Sequence, residues 1–254
     1  MRPAPAQHEE KGTMRFLVFQ HVAIEHPGIF RTFWREAGIE WDAVELDEGE
    51  PIPELSNYQA LVVMGGPMDV WQEAEYPWLV PEKAAIRRFV TELQRPYLGI
   101  CLGHQLLAAA LGGTVGLGRT PEVGLGTVTL NADGLADPLF AGFANPVETF
   151  QWHSCEVQHL PPDAVVLAGN EACAVQAMRV GHHAYGVQYH VEITAETVPQ
   201  WRELPAYAAS LDAALGPQRA AQLADDTASR LPAFAQAARR LNDNFLGLVA
   251  AALA

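Results

Sequence analysis

Tyr97-Leu98-Gly99-Ile100-Cys101-Leu102-Gly103-His104-Gln105 sets a short apolar run against a cysteine flanked by glycines. An alanine- and leucine-rich segment follows, and Gly112-Gly113 stops it. The run reads as a buried strand, a sharp turn carrying Cys101, and a helix. This is the thiol version of a nucleophile elbow, in which small neighbours let a strained turn push one side chain into the open. A helix starting just after Cys101 turns free N–H groups and its positive dipole end toward the sulfur. Both are expected to favour the thiolate, the nucleophilic form. The alternative is a buried core cysteine, the usual place of a free thiol.

Outward from the elbow, strands alternate with helices. Met14–Gln20 is a continuous apolar run of strand length; Pro27–Gly38 carries Phe30, Phe33 and Trp34 at helical spacing. Ile39–Leu46 and Gln59–Met64 read as strands, the second ending at Gly65-Gly66-Pro67, and Trp78–Leu93 as a helix. The alternation predicts an α/β fold built on a doubly wound, mostly parallel, flavodoxin-like sheet. Ligands bind such sheets at the carboxyl ends of the strands, where Gly65-Gly66-Pro67 and Cys101 both fall. Further on, Val123–Leu130, Glu156–Leu160, Val165–Ala168, Ala174–Met178 and Ala184–Tyr189 are short strand-like runs. They predict a small antiparallel extension with one strand re-entering the main sheet. From Thr194 the pattern is helical, and Gly216-Pro217 and Leu231-Pro232 divide a C-terminal tail into about three helices. The expected organisation is a disordered segment over 1–13, with Met14 as a possible natural start, one domain over 14–194, and a helical extension over 195–254 packed on it.

The chain has 254 residues, 49% hydrophobic and 18% charged, with a net charge of −14. The only lysines are Lys11 and Lys83, and no basic run exists, which excludes a nucleic-acid or anionic-membrane surface. Cys101, Cys155 and Cys173 are too few and too scattered for a disulfide framework or a zinc knuckle, so a reducing, cytoplasmic location is expected. No apolar stretch reaches membrane-spanning length and no signal peptide is visible.

Two more motifs bear on Cys101. In Tyr185-Gly-Val-Gln-Tyr-His-Val-Glu192, His190 and Glu192 stand two apart at a strand end, so both side chains leave the same face. A cysteine nucleophile needs a base and a group to orient that base, and this pair can supply both. Alone, a strand-end histidine is more often structural. Gly65-Gly66-Pro67 allows bare backbone N–H groups at a turn, one half of an oxyanion hole whose other half is the N–H of Leu102. Alone, it is an ordinary turn.

Together, Gly65-Gly66-Pro67-Met68, Gly99–Gln105 and Gly186–Glu192 resemble the class I, triad-type glutamine amidotransferase domains, in the family's order and at about its spacing, over roughly residues 14–194. The tail is similar to that of free-standing members like the glutaminase half of GMP synthase. The resemblance implies that Cys101 attacks the side-chain amide of glutamine to form a γ-glutamyl thioester. His190 would take and return the proton, Glu192 would orient His190, and the N–H groups of Gly66 and Leu102 would hold the oxyanion. Gly65, Gln105, Ser154 and Cys155 would contact substrate, with His153 beside them as a structural residue. Two departures stand out. Val191 replaces a proline usual between the His and the Glu, and Ser154-Cys155 replaces Gly-Asp, which changes the polarity of the substrate pocket.

The activity so implied is hydrolysis of glutamine's side-chain amide with release of ammonia. The alternatives are hydrolysis of γ-glutamyl peptides or γ-glutamylamides, or a silent binding or regulatory subunit. A peptidase-like arrangement using His104 is a further reading, although His104 should point away from Cys101. With no ATP-binding loop, a nitrogen acceptor would need a separate synthetase partner. His182-His183 with Glu171 lack metal-ligand spacing, and Gly112–Gly118 follows a helix and so is no phosphate loop. No metal and no cofactor are expected.

Overall fold

Strands β1 (Arg15–Gln20), β2 (Glu40–Glu45), β3 (Ala60–Val63) and β4 (Tyr97–Ile100) run parallel. The computed structural model describes residues 14–254; the segment expected to be disordered, 1–13, lies outside them. Leu17, Val18 and Phe19 of β1 and all of β3 are fully buried. Such strands are covered on both faces, which is why their sequences read as unbroken apolar runs. Between them lie α1 (Phe30–Glu36) and α2 (Leu79–Arg87), which continues as a turn of π-helix over Arg88–Glu92, and α3 (Leu102–Ala110) follows β4. The second half adds β5 (Thr114–Leu130), α4 (Ala132–Ala136), β6 (Val147–His159), β7 (Ala164–Gly169), β8 (Ala177–Val180) and β9 (Ala184–Val187). One sheet of nine strands results, in the order β2-β1-β3-β4-β9-β8-β7-β5-β6. β9 is the re-entering strand: it pairs parallel with β4, while β8, β7, β5 and β6 continue antiparallel.

One face of the sheet packs on α1 and on the last helix; the other packs on α2 and α3. The tail consists of α5 (Thr197–Trp201), α6 (Pro205–Ala228) and α7 (Leu231–Ala252). The break expected at Gly216-Pro217 is a kink inside α6, where Gly216 takes φ 72°. An unexpected break before Pro205 separates α5. No helix among the described residues is long and apolar enough to cross a membrane.

Several boundaries differ from the sequence reading. β5 begins at Thr114, not Val123, and runs for 17 residues. Its first half, rich in glycine and containing Pro121, has no apolar alternation, and it is held in place by pairing with β6, with an irregularity between Leu117 and Glu122. β6 likewise starts at Val147, well before Glu156. α4 was not expected; Asn131 caps it by accepting from the Gly134 N–H.

Candidate active site

Four parallel strands deliver their carboxyl ends to one edge: β1 leads to His21 and Glu25, β3 to Gly65-Gly66, β4 to Cys101, and β9 to Gln188 and His190. Cys101 has φ 53° and ψ −105°, a conformation that L-residues rarely adopt and that is strained by about 1–3 kcal/mol. Its neighbours make the turn possible. A Cβ on Gly99 would lie 2.4 Å from the Gly103 carbonyl, and one on Gly103 would lie 2.1 Å from the Val63 oxygen. The Cys101 N–H bonds the Val187 carbonyl, and the Gly103 N–H bonds Met64 O. The elbow is thus stitched to both neighbouring strands.

The Cys101 sulfur is surrounded by groups from distant parts of the chain. Its S–H is aimed at the Trp152 carbonyl, 3.8 Å away, and Gln188 Nε2 donates to Sγ from 3.7 Å. The His190 imidazole bears on the same sulfur: it lowers the thiol's pKa, and Cys101 in turn raises that of His190. His190 Nδ1 lies 2.6 Å from Glu192 Oε1, which leaves Nε2 for the sulfur. The pair is pinned by the backbone. His190 exchanges two hydrogen bonds with Phe150 of β6, the Val191 N–H bonds Glu192 Oε2, and the Glu192 carbonyl accepts from Ile29. Trp201 of α5 packs edge-on against the His190 ring at 4.8 Å.

Burial disfavours a charged imidazole, but Glu192 and Cys101 outweigh it and hold the His190 pKa well above its ordinary value. Cys101 moves the opposite way from the expectation of a resting thiolate. Burial raises its pKa, and His190 offsets this only in part, with Glu25 and Glu192 adding repulsion. The helix dipole is a surface-scale effect of under about 1–2 kcal/mol, too small to overcome desolvation of a fully buried sulfur.

A cavity of about 190 Å³ opens over the sulfur, lined among others by Gly66, Met68, Asp69, Leu102, Gln105 and Ser154. Cys155 and His153 also line it. Gln105 reaches it from α3, its amide nitrogen donating to Gln188 Oε1 and the Cys155 carbonyl. His153 bonds the Cys155 carbonyl through Nδ1 and stands 3.2 Å from Glu122. Gly65, expected to contact substrate, does not line the cavity; its carbonyl turns inward to His21 instead. His104 is fully buried, packs on Gly186, and has its pKa lowered to about 4 by burial. His183 is held by the Val90 carbonyl, and His182 is exposed.

The sequence reading missed five participants. Asp69 Oδ1 accepts from the Cys155 thiol across the cavity, so a carboxylate faces the position where Gly-Asp was expected. Its signal was its place two residues after Pro67. Gln188 stood inside the third motif without a role. Tyr207 and Ser210 of α6 close one side of the cavity, with Ser210 accepting from the Trp152 indole, and nothing local marks them. Glu25 is buried behind Gly65, and one of its oxygens has no partner among the described residues.

Fold and site together define an α/β protein with a cysteine elbow at a small cavity and a buried histidine–glutamate pair behind the cysteine. The chain belongs to the class-I glutamine amidotransferase family, whose model matches residues 31–200. It is 35% identical over 190 residues to the glutamine amidotransferase-like protein YfeJ of Salmonella typhimurium, covering 73% of this chain and 78% of that one. It is 34% identical over 153 residues to a glutamine-hydrolyzing GMP synthase chain of Sulfolobus acidocaldarius, covering 60% and 77%. It is 28% identical over 177 residues to gamma-glutamyl peptidase 3 of Arabidopsis thaliana, covering 66% and 69%. The crystal structure of a glutamine amidotransferase from Thermotoga maritima superposes with a TM-score of 0.81 at 29% identity, covering 93% of this chain and 98% of that one.

Proposed function

We propose that this protein hydrolyses the side-chain amide of glutamine through a γ-glutamyl thioester on Cys101, releasing ammonia. The observation that carries the reading is that Cys101 lines the cavity while the buried His190, hydrogen-bonded to Glu192, bears on its thiol from behind. His190 Nε2 takes the thiol proton as Sγ attacks the amide carbon. The resulting oxyanion lies between the N–H groups of Gly66 and Leu102, and among the described residues no backbone acceptor takes either one. The C–N bond then breaks, and His190 returns the proton to the departing ammonia. Water, deprotonated by His190, attacks the thioester; glutamate leaves and the thiol is restored. Glu192 holds the ring in the tautomer this needs and stabilises the imidazolium.

A cavity of about 190 Å³ is below the usual range for drug-sized ligands, which suits an amino-acid arm better than a folded peptide. Gln105, Ser154 and the Cys155 backbone face the glutamyl end, and Asp69 supplies a negative charge for its α-ammonium group. The same site would accept a γ-glutamyl peptide or γ-glutamylamide, the reading favoured by the altered pocket at Ser154-Cys155. A separate synthetase chain is the natural consumer of ammonia, as the name of the GMP synthase relative suggests.

The test is a product screen of the purified protein on glutamine and a panel of γ-glutamyl compounds, with Cys101→Ala as control. Ammonia from glutamine, abolished in the variant, supports the reading. Faster cleavage of γ-glutamyl peptides moves the assignment to the alternative. No turnover, together with Cys101 no more reactive to iodoacetamide than Cys173, points to a silent subunit.

A further inference from the structure

His21 and Glu82 are both fully buried and lie outside the Cys101–His190–Glu192 set. His21 Nδ1 is 2.7 Å from the Gly65 carbonyl oxygen, and its Nε2 is 2.9 Å from Glu82 Oε1. A carbonyl only accepts, so Nδ1 carries a proton. Nε2, on the other side of the ring, faces Glu82 Oε1. Burial opposes a charge on the ring, but Glu82 and the Gly65 carbonyl outweigh it and raise the His21 pKa. Trp78 stacks on the ring at 5.5 Å with an interplanar angle of 21°, a further contact that suits a cation.

The Gly65–Gly66 peptide is trans, so its C=O and N–H point in opposite directions in one plane. The oxygen is anchored inward on His21, so the Gly66 N–H faces outward, on the side where Gly66 lines the cavity beside Cys101 and Leu102. Two glycines in a row leave this peptide plane free to rotate unless something outside it holds it. We infer that His21, held in turn by Glu82, is a positioning residue that sets the oxyanion hole: it clamps the Gly65–Gly66 peptide and, by donating to its carbonyl, strengthens the Gly66 N–H toward the oxyanion. The inference rests on the proposed amide hydrolysis.

Asn and Gln separate the two halves of the clamp. An Asn amide can stand where Nδ1 stands and keep the bond to the Gly65 oxygen, whereas a Gln amide reaches the Nε2 position and leaves that oxygen unheld. Turnover of glutamine and the γ-glutamyl panel by His21→Asn, His21→Gln and Glu82→Gln is compared with the rate of Cys101 alkylation by iodoacetamide, a displacement that needs no oxyanion hole. His21→Gln is expected to lower kcat by about 10²-fold with KM within about threefold, while alkylation stays within about threefold of wild type. His21→Asn is expected to retain within about tenfold of wild-type kcat, with Glu82→Gln between the two. Equal kcat in His21→Gln and wild type overturns the clamp. So does a parallel loss of turnover and alkylation in all three variants, which marks His21 as merely structural. A wild type that cleaves no γ-glutamyl compound overturns the proposed reaction itself and the clamp with it, an outcome distinct from both.

Discussion

Glu25 faces His21, His190 and Glu192 inside the fold, and burial pushes its carboxyl up to about 7 from an ordinary 4.5. The folded state therefore binds a proton that the unfolded chain releases above pH 4.5, so this group destabilises the fold progressively as pH rises from about 4.5 to 7, by about 3 kcal/mol in all. Glu25→Gln keeps the shape without the charge. It is expected to remove this loss, so that the variant outlasts wild type in urea at pH 8 and matches it at pH 4.5. Equal midpoints at pH 8 would show that Glu25 ionises without penalty. Asp69 acts on substrate instead: Asp69→Asn is expected to raise KM for glutamine about tenfold, the equivalent of about 1.4 kcal/mol, with kcat within a fewfold. An unchanged KM would remove Asp69 from the glutamyl subsite. At this scale, chemistry was legible wherever short-range spacing carries it. Cys101 sits in its glycine frame, and His190 lies two residues from Glu192. Glu25 was not legible, and Asp69 only by its nearness to Pro67, because each acquires its role from a residue far along the chain, Gly65 in one case and Cys155 in the other.

The elbow joins residue to element, since the turn at Cys101 exists only because α3 can approach β3 without a side chain between them. Gly103→Ala would put a Cβ 2.1 Å from the Val63 oxygen and 2.8 Å from the Val63 carbonyl carbon. Both are backbone atoms of β3, so relief must move that strand and with it Gly65-Gly66. Overpacking of this kind costs about 1–3 kcal/mol. Gly103→Ala is expected to show that loss in the denaturation midpoint and at least a tenfold drop in turnover; wild-type turnover would mean that the elbow tolerates the shift. The parallel strands were legible because burial on both faces leaves only apolar residues to write them with, as in Leu61-Val62-Val63. β5 and β6 were only half legible. Thr114–Glu122 has the composition of a loop, and it becomes strand because β6 supplies the hydrogen-bond partners, a constraint that no window of local sequence contains. The break before Pro205 had a local signal in that proline, yet the expected divisions fell only at Gly216-Pro217 and Leu231-Pro232.

In the whole molecule the tail is part of the core. Ala238, Leu241, Phe245 and Val249 of α7 share one apolar cluster with Phe16 and Val18 of β1 and with Trp34 of α1, and the Phe16 and Phe245 rings meet edge to face at 6.3 Å. Earlier in the tail, Trp201 supports His190, while Tyr207 and Ser210 wall the cavity. α7 carries no residue of the site, yet the strands that deliver His21 and Cys101 rest on it through this cluster. Truncating a buried phenylalanine costs about 3–5 kcal/mol, a large share of the 5–15 kcal/mol that holds a typical domain together. Phe245→Ala is therefore expected to lower the urea midpoint in a single transition, with loss of tryptophan fluorescence and loss of turnover coinciding. A tail folded as its own unit would instead give two transitions, the first leaving activity intact. Coincident curves in both wild type and variant would place the helical extension and the sheet in one cooperative unit, so that a change on α7 reaches the active edge only by unfolding the whole.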